Sequence, residues 1–228
     1  YGETDVPDGL TDVVAIAAGG NHSLALTASG EVVAWGRNND GQLNIPDGLE
    51  NVVKIAAGGS NNARSHSLAL TAAGDVVAWG SNHSGQTNVP EGLENVVQIA
   101  AGSDYSLALT ESGDVVGWEE YYNQTDMPSE LEGVIAIAAG GSHSLALTAS
   151  GEVVAWGRND DGQTDVPDGL VVLVYCDSDG NLYDDCGVCG GDNSTCWGCT
   201  DAEACNYDLD AISDDGSCMM WLDPDTIP

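Results

Sequence analysis

The stretch VVAIAAGG, residues 13–20, occurs in four closely similar copies and decides the fold of this chain. The other copies begin at Val52, Val96 and Val134. Each copy is followed by Ser-Leu-Ala-Leu-Thr and then by Gly-(Glu/Asp)-Val-Val-(Ala/Gly)-Trp. The four Trp residues that end this pattern are 44, 39 and 38 residues apart. A period near 39 residues with fixed internal landmarks indicates a repeat architecture.

The residue pattern of each repeat predicts three short strands and a candidate fourth strand. Residues 13–18 form an apolar run rich in β-branched side chains, and residues 23–27 alternate between apolar and polar. A turn signal at Gly30 leads into a third strand at residues 31–35. Residues 42–45 are a candidate fourth strand at the sheet edge. Units of this kind, repeated every ~40 residues, are typical of β-propeller blades.

The alternation within the strands predicts which side chains are buried. Leu24 and Leu26 lie on one side of the second strand, and Val33 and Trp35 share a face of the third. A short twisted sheet buries both faces only by stacking on its neighbours. We therefore expect these residues and their equivalents to pack between neighbouring blades.

Composition divides the chain into two domains at about residue 170. The repeats occupy residues 1–170, and residues 171–228 form a segment rich in Cys and Asp with no Lys or Arg. Residues 1–12 align with the end of a blade. The whole repeats are residues 13–51, 52–95, 96–133 and 134–170.

The repeat landmarks resemble the regulator-of-chromosome-condensation repeat family over residues 1–170. The matching segments are Ile-Ala-Ala-Gly at Ile16, His-Ser-Leu-Ala-Leu-Thr at His22, Gly-Glu-Val-Val-Ala-Trp-Gly-Arg-Asn at Gly30 and Asp-Gly-Gln at Asp40. The compact blades are most similar to the short bacterial type, as in the secreted β-lactamase-inhibitor propeller. The resemblance implies a seven-bladed ring. Four whole blades are visible here, so we expect further blades or domains outside this sequence.

Charge excludes several classes of partner. The chain has 37 Asp and Glu against 4 Lys and Arg, a formal net charge of −33. Such an acidic surface repels phosphate backbones and anionic lipid heads, so no nucleic-acid partner is expected. No apolar run approaches the ~20 residues that cross a bilayer, so no membrane insertion is expected either.

The cysteines predict an extracellular, disulfide-bonded segment. A segment rich in Gly, Asp and Asn buries too little apolar surface for a core and needs covalent cross-links. Structural zinc, which the two Cys-x-x-Cys pairs would also fit, is the other interpretation. The segment is similar to those of secreted surface proteins of marine microbes. The cysteines are Cys176, Cys186, Cys189, Cys196, Cys199, Cys205 and Cys218.

Carboxylates concentrate at the start of the same segment. Calcium is bound by several oxygen ligands within a few residues, although the spacing here does not follow an EF-hand. A looser calcium site is one hypothesis, and a solvated acidic linker is the other. The candidate ligands are Asp177, Asp179, Asn181, Asp184 and Asp185.

No motif in the sequence predicts catalysis, so we expect a protein that is not an enzyme. His22, His66 and His143 recur at one position of the repeat, where the third repeat has Tyr105. A residue that repeats with the blade is expected to be part of the scaffold, and to hydrogen-bond a turn. Phosphate-binding and dinucleotide fingerprints are missing from the sequence.

Positions that break the repeat are the candidates for partner binding. The second repeat has five additional residues, Ser60–Arg64, and the third replaces its post-Trp loop with a segment that contains Tyr121 and Tyr122. Arg64 would pair with an acidic group, and the tyrosines would stack on an apolar or sugar surface. Both segments are expected on the same side of neighbouring blades. Tolerated loop variation is the other interpretation.

The sequence therefore predicts a non-catalytic, secreted or cell-surface protein that binds a protein or a glycan through propeller loops. Two alternatives remain open. One is a regulator like the guanine-nucleotide exchange factors of the same family. The other is the non-catalytic part of a larger secreted enzyme.

Overall fold

The structure is a computed structural model that describes residues 2–60, 63–119, 123–168 and 170. The described residues up to 148, together with 153–168, belong to one compact unit, and residues 149–152 and 170 are grouped apart from it. Among the described residues, no helix has the length and apolar character needed to cross a membrane. The strands are β1 (Val13–Ala18), β2 (His22–Thr27), β3 (Val32–Gly36), β4 (Val52–Ser60), β5 (Ala63–Thr71), β6 (Val76–Gly80), β7 (Val96–Ala101), β8 (Ser106–Thr110), β9 (Val115–Trp118), β10 (Val134–Ala139), β11 (His143–Thr148) and β12 (Val153–Gly157).

These strands form four antiparallel sheets of three, in chain order. We call them blade 1 (β1–β3), blade 2 (β4–β6), blade 3 (β7–β9) and blade 4 (β10–β12). The register repeats from blade to blade: Ile16 lies opposite Ala25 in blade 1, and Ile99 lies opposite Ala108 in blade 3. Gly30, with a φ of 82°, closes the predicted hairpin between β2 and β3. The prediction of an all-β fold built from propeller blades is confirmed.

The prediction of a fourth strand at residues 42–45 is wrong. The backbone N–H groups of this segment donate hydrogen bonds to a side chain and within local turns. Asn38 Oδ1 accepts a hydrogen bond from Leu43 N at 2.9 Å, and Gln42 Oε1 accepts one from Asp40 N at 2.9 Å. Asn44 N donates to Gly41 O at 2.9 Å. With these groups already paired, the segment folds as a compact turn and does not extend the sheet.

The second strand of each blade packs against the first strand of the next. Leu24 and Leu26 of blade 1 are 0% and 1% exposed and share one apolar cluster with Val52 and Trp79 of blade 2. Val77 packs against the same cluster, as predicted for the equivalent of Val33. The two following interfaces repeat this arrangement with equivalent residues. The first strands of successive blades also contact one another, so the sheets fan outward from that side.

Close packing between blades explains the Ala-Ala-Gly that ends each first strand. Gly58 lies against the ring of His66, and a Cβ at this position would collide with the ring and with the carbonyl oxygen of Gly102 in blade 3. Gly140 is related to the His143 ring in the same way. The glycine is therefore required by the aromatic side chain that follows it, since no larger residue fits beneath the ring.

Candidate protein-binding face

Strand pairing places the two repeat-breaking segments at the same end of their blades. In every blade, the start of the second strand lies beside the end of the third, as His66 lies opposite Gly80. The loop between the first and second strands and the segment after the third therefore share one end. In blade 2 this end carries the hairpin at residues 60–64, and in blade 3 it carries Glu119. We call it the Arg64 face.

The additional residues of blade 2 lengthen a hairpin. β4 and β5 each have nine residues, against six in β1 and β2, and Ser60 pairs with Ala63 at the hairpin tip. Arg64 follows with a φ of 77°, in the left-handed region that few residues other than glycine occupy. The hairpin therefore extends beyond the corresponding loops of the other blades.

Arg64 is held by acidic residues from the blades on both sides. Its backbone N donates to Asp40 Oδ2 at 3.0 Å, and Asp40 follows blade 1. Its Nη1 lies 3.7 Å from Asp104 Oδ1 in blade 3. The Arg64 side chain is 46% exposed, and an ion pair of this length at the surface contributes about 0–1 kcal/mol to stability. The guanidinium thus remains available to pair with an acidic group on another molecule.

Glu119 occupies the position of a glycine that has positive φ in the other three blades. Those glycines, Gly36, Gly80 and Gly157, have φ values of 107°, 103° and 103°. Glu119 does not share this conformation, and a short 3-10 helix at Asn123–Thr125 replaces the usual turn. Glu119 Oε1 accepts a hydrogen bond from Gln124 N at 3.0 Å. Partial burial raises the pKa of the Glu119 carboxyl above its ordinary value.

Each interface between blades is also closed by one backbone carbonyl, which we call the latch carbonyl. Gln42 O accepts hydrogen bonds from Trp79 Nε1 at 2.9 Å and from Ser67 Oγ at 3.0 Å. Gln86 O accepts the equivalent pair from blade 3 at 2.9 and 2.8 Å. The latch carbonyl of blade 3 belongs to Gln124 and bonds Trp156 Nε1 at 2.8 Å. The altered loop after Trp118 therefore preserves the scaffold contact.

The repeated histidines complete these latches. His22 Nε2 lies 3.0 Å from Ser67 Oγ, and His66 Nε2 lies 3.0 Å from Ser106 Oγ. Because Ser67 donates its only proton to Gln42 O, we assign the donor role to His22 Nε2–H. Burial lowers the pKa of His22 to about 4 and that of His66 to about 3, so both rings are neutral near pH 7.

Tyr105 takes the histidine position in blade 3 and bonds blade 4. Its OH lies 3.0 Å from Ser144 Oγ and donates to His143 O. Burial raises the pKa of Tyr105 to about 12, so the phenol stays protonated. The sequence predicted a scaffold role for this position, but the bond to the next blade's Ser was missed. The sequence feature that could have revealed this bond is the Ser that follows the His or Tyr in every repeat, because each blade thereby offers a Ser to the His or Tyr of the blade before it.

The remaining candidate residues lie outside the described residues. This applies to Tyr121 and Tyr122, to all seven cysteines, and to the candidate calcium ligands Asp177, Asp179, Asn181, Asp184 and Asp185. The binding role, the disulfides and the calcium site therefore stay predictions. Within the described part of the chain, no group of three or more His, Cys, Asp or Glu side chains is arranged to hold a metal ion.

A family model described as the regulator of chromosome condensation (RCC1) repeat matches the chain four times, once in each blade. The matched residues are 13–42, 64–86, 96–118 and 134–163. The four blades are RCC1 repeats. The matches omit residues 52–63 and end at Trp118 in blade 3, so most of the inserted hairpin and all of the altered loop fall outside them. These RCC1 repeats depart from the family pattern at the two segments of the Arg64 face.

Several solved structures have similar folds. Prp20p from Saccharomyces cerevisiae, whose binding properties to Gsp1p and histones have been studied, is 26% identical with a TM-score of 0.53, and the match covers 64% of this chain and 45% of Prp20p. Human WBSCR16 is 24% identical, with a TM-score of 0.56 and coverage of 72% and 54%. The ectodomain of the Physcomitrella patens receptor kinase CR4 is 23% identical, with a TM-score of 0.54 and coverage of 66% and 42%.

These RCC1 repeats therefore span about half the length of the solved proteins that they match. Comparison with curated proteins gives no match. At 23–24% identity, the likeness to WBSCR16 and CR4 shows the fold alone.

Proposed function

We propose that the chain is a non-catalytic binding protein that recognises a protein or a glycan through the Arg64 face. The observation that carries the proposal is the β4–β5 hairpin. It departs from the repeat, extends beyond the equivalent loops, and presents Arg64 with its guanidinium exposed. RCC1-type propellers are suited to this role, since Prp20p, which shares the repeat, has binding properties to other proteins.

A partner would contact several blades at once. The acids that hold Arg64 come from blade 1 and blade 3, so the hairpin of blade 2 is fixed relative to both. Tyr121 and Tyr122 follow Glu119 in the sequence, and we propose them as further contacts. Aromatic and Arg side chains contribute most of the binding energy in many protein interfaces.

The experiment is affinity capture with the 228-residue chain as bait, followed by binding measurements on the partner that is recovered. Substitution of Arg64 by Ala should weaken the measured affinity at least several-fold. The control is Lys54→Ala. Lys54 is exposed and lies near the start of β4, whereas Arg64 lies beside the hairpin tip at the other end of the same blade. Equal affinities for both variants would overturn the role of the Arg64 face.

We also propose that the protein acts outside the cytoplasm, at a cell surface or in the secreted fraction. The support is the cysteine content of residues 171–228. Mass spectrometry without reduction should find six of the seven cysteines paired within the chain. Stoichiometric release of zinc by a thiol-blocking reagent would reverse both the disulfide assignment and the location.

A second candidate function is favoured by the 26% identity with Prp20p. The chain would then act as a regulator of a small GTPase, as exchange factors of the family do. Titration of the chain with Gsp1p tests this directly. Binding that accelerates nucleotide release would displace the surface-binding proposal.

A further inference from the structure

The end of the blades opposite the Arg64 face carries the loops that join one blade to the next, and we call it the linker face. Val52, at the start of β4, lies there opposite Thr71, at the end of β5. The linking loop at residues 46–51 is held to the hairpin between β5 and β6, since Ala72 N donates to Asn51 O at 2.8 Å. Blades 2 and 3 each have a described blade on both sides, so their part of the linker face does not depend on where the sequence begins or ends.

A β-bulge in each first strand turns one apolar side chain toward solvent on this face. In blade 2 the register shifts between Val52 and Lys54, which leaves Val53 without a partner in the ladder. Val53 is 49% exposed, and Val97 at the same position of blade 3 is 39% exposed. Bulges of this kind re-aim side chains and are frequent beside functional sites. Core packing does not account for an apolar residue at this position.

Val53 and Val97 line one groove of about 460 Å³ between blades 2 and 3. This groove shares residues 71–73 with a second groove, which lies along the linking loop that enters blade 2. It shares Asn95 and Glu111 with a third, which lies along the linking loop that enters blade 3. The three are therefore continuous, and we call them together the bulge groove. A segment that occupies it would contact two blades.

Carboxylates surround the apolar middle of the bulge groove. Its lining has seven acidic residues, all exposed, against one basic residue, Lys54. Within the described residues, none of the seven is in an ion pair with a cationic side chain. The other three basic residues of the chain are arginines at the Arg64 end of the blades, so Lys54 alone offsets the charge here. The acidic residues are Asp47, Glu50, Asp75, Glu91, Glu94, Glu111 and Asp114.

We propose that the bulge groove binds a cationic segment of another protein, in which apolar side chains alternate with Lys or Arg. The apolar side chains of the segment cover Val53 and Val97, and its cations pair with the surrounding carboxylates. A second copy of this chain, with a formal charge of −33, is repelled. The carboxylates attract any cationic segment, and the apolar contact selects the amphipathic ones. This inference goes beyond the proposed function and concerns the opposite face.

Fluorescence anisotropy of a labelled peptide of alternating Lys and Leu, titrated with the 228-residue chain, tests the proposal. A peptide of alternating Lys and Ser has the same charge without the apolar side chains, and it should bind at least several-fold more weakly. Sodium chloride should weaken the binding of both peptides, because salt screens the attraction. Equal affinities for the two peptides would leave only attraction by net charge and would overturn the proposal, as would no binding of the Lys–Leu peptide.

The double variant Val53→Ser, Val97→Ser removes the apolar contact and leaves the charge unchanged. Its affinity for the Lys–Leu peptide should fall several-fold, and its affinity for the Lys–Ser peptide should stay the same. Val6→Ser is the control, because Val6 is 62% exposed and does not line the bulge groove. Unchanged affinity of the double variant for the Lys–Leu peptide would contradict the proposal. Tryptophan fluorescence verifies that each variant is folded.

Single changes of charge distinguish the bulge groove from the acidity of the whole chain. Glu111→Gln should weaken the binding of both peptides more than Asp161→Asn, which makes the same change of net charge after the third strand of blade 4. Lys54→Gln should strengthen binding, and Arg64→Ala, at the other end of the same blade, should have a smaller effect. If the position of the change made no difference, net charge alone would be responsible and the proposal would be wrong. Since the peptides do not need the Arg64 face, this proposal and the proposed function can fail separately.

Discussion

His66 illustrates how one side chain in this protein belongs to two blades at once. Its ring lies over Gly58 of its own blade, and its Nε2 bonds Ser106 of the next. The ring is fully buried, and its Nδ1 has no hydrogen-bond partner, so protonation would place an uncompensated charge in the interface. The neutral form is therefore part of the folded state.

The pKa of His66 predicts a dependence of stability on pH. Its folded pKa of about 3 is below the unfolded value of 6.5, so its contribution to stability is complete above pH 6.5 and is lost as the pH falls toward 3. Between pH 6.5 and 4.5 this loss is on the order of 2 kcal/mol. We expect His66→Gln to be about 1–3 kcal/mol less stable at pH 7, through the lost hydrogen bond, and to lose less stability on acidification.

Urea unfolding followed by tryptophan fluorescence at pH 7 and pH 4.5 measures both effects. His83→Gln, at an exposed loop position, is the control and should keep the wild-type stability at pH 7. If His66→Gln and the wild type lost the same free energy of unfolding between the two pH values, the neutral-histidine account would be wrong.

Glu119 changes the stability in the opposite direction to His66 as the pH varies. Burial raises its folded pKa above the unfolded value, so ionisation of Glu119 opposes folding as the pH rises through the folded pKa. Glu119→Gln removes that ionisation and keeps an oxygen that accepts from Gln124 N. The variant should therefore unfold at a higher temperature than the wild type at pH 7. The gain should shrink as the pH falls below the unfolded pKa near 4.5, and calorimetry at pH 7 and pH 4 would detect this trend.

At the scale of the element, the third strand fixes each blade to the one before it. Its Trp is packed against the preceding Leu pair and bonded to the latch carbonyl, as in Trp79, which is 6% exposed. Loss of this side chain removes apolar contact and leaves the Gln42 carbonyl without its indole donor. Both effects destabilise one interface while the rest of the chain stays paired.

Trp79→Ala should cost about 3–5 kcal/mol, as for other large-to-small core substitutions. Trp35→Ala is the informative comparison, because Trp35 is only half-buried, with no blade in front of it among the described residues. We expect a smaller loss there, measured by urea unfolding with the remaining tryptophans as probes. A loss below ~1 kcal/mol at Trp79 would contradict the packing described for blades 1 and 2.

Strands and their buried faces were predictable because they depend on local alternation, as for Leu24 and Leu26. The turn at residues 38–44 was not, since its backbone is paired by the Asn38 and Gln42 side chains, and sequence alternation does not report such bonds. The position of the inserted hairpin followed from antiparallel pairing. The ion pair between Arg64 and Asp104 was not predictable. It joins two blades, and Arg64 lies in an insertion for which the repeat pattern predicts no contacts.

At the scale of the whole molecule, charge dominates. With 37 acidic residues and 4 basic ones, repulsion within the chain opposes the compact state at low salt. Any cation relieves it by screening, but only a specific site distinguishes calcium from sodium. The prediction of calcium ligands at Asp177 and Asp179 can be tested on that basis.

Millimolar calcium should raise the midpoint of thermal unfolding more than a sodium salt of equal ionic strength. The double variant Asp177→Asn, Asp179→Asn should lose the difference and keep the response to sodium. Circular dichroism during heating measures both. Equal shifts from the two salts in the wild type would leave only screening, and the calcium site would be dropped.

The latch carbonyl also bears on how such a chain changes length over generations. Each interface is closed by a main-chain oxygen from one blade and by a Trp and a Ser from the next, so the same contact can form whichever side chain the carbonyl residue carries. Unequal crossing-over between the coding segments for two blades would add or delete one blade in frame, and the new neighbours would still form the latch contact. We therefore expect genes of this design to differ in blade number through recombination, and in their loops through point mutation.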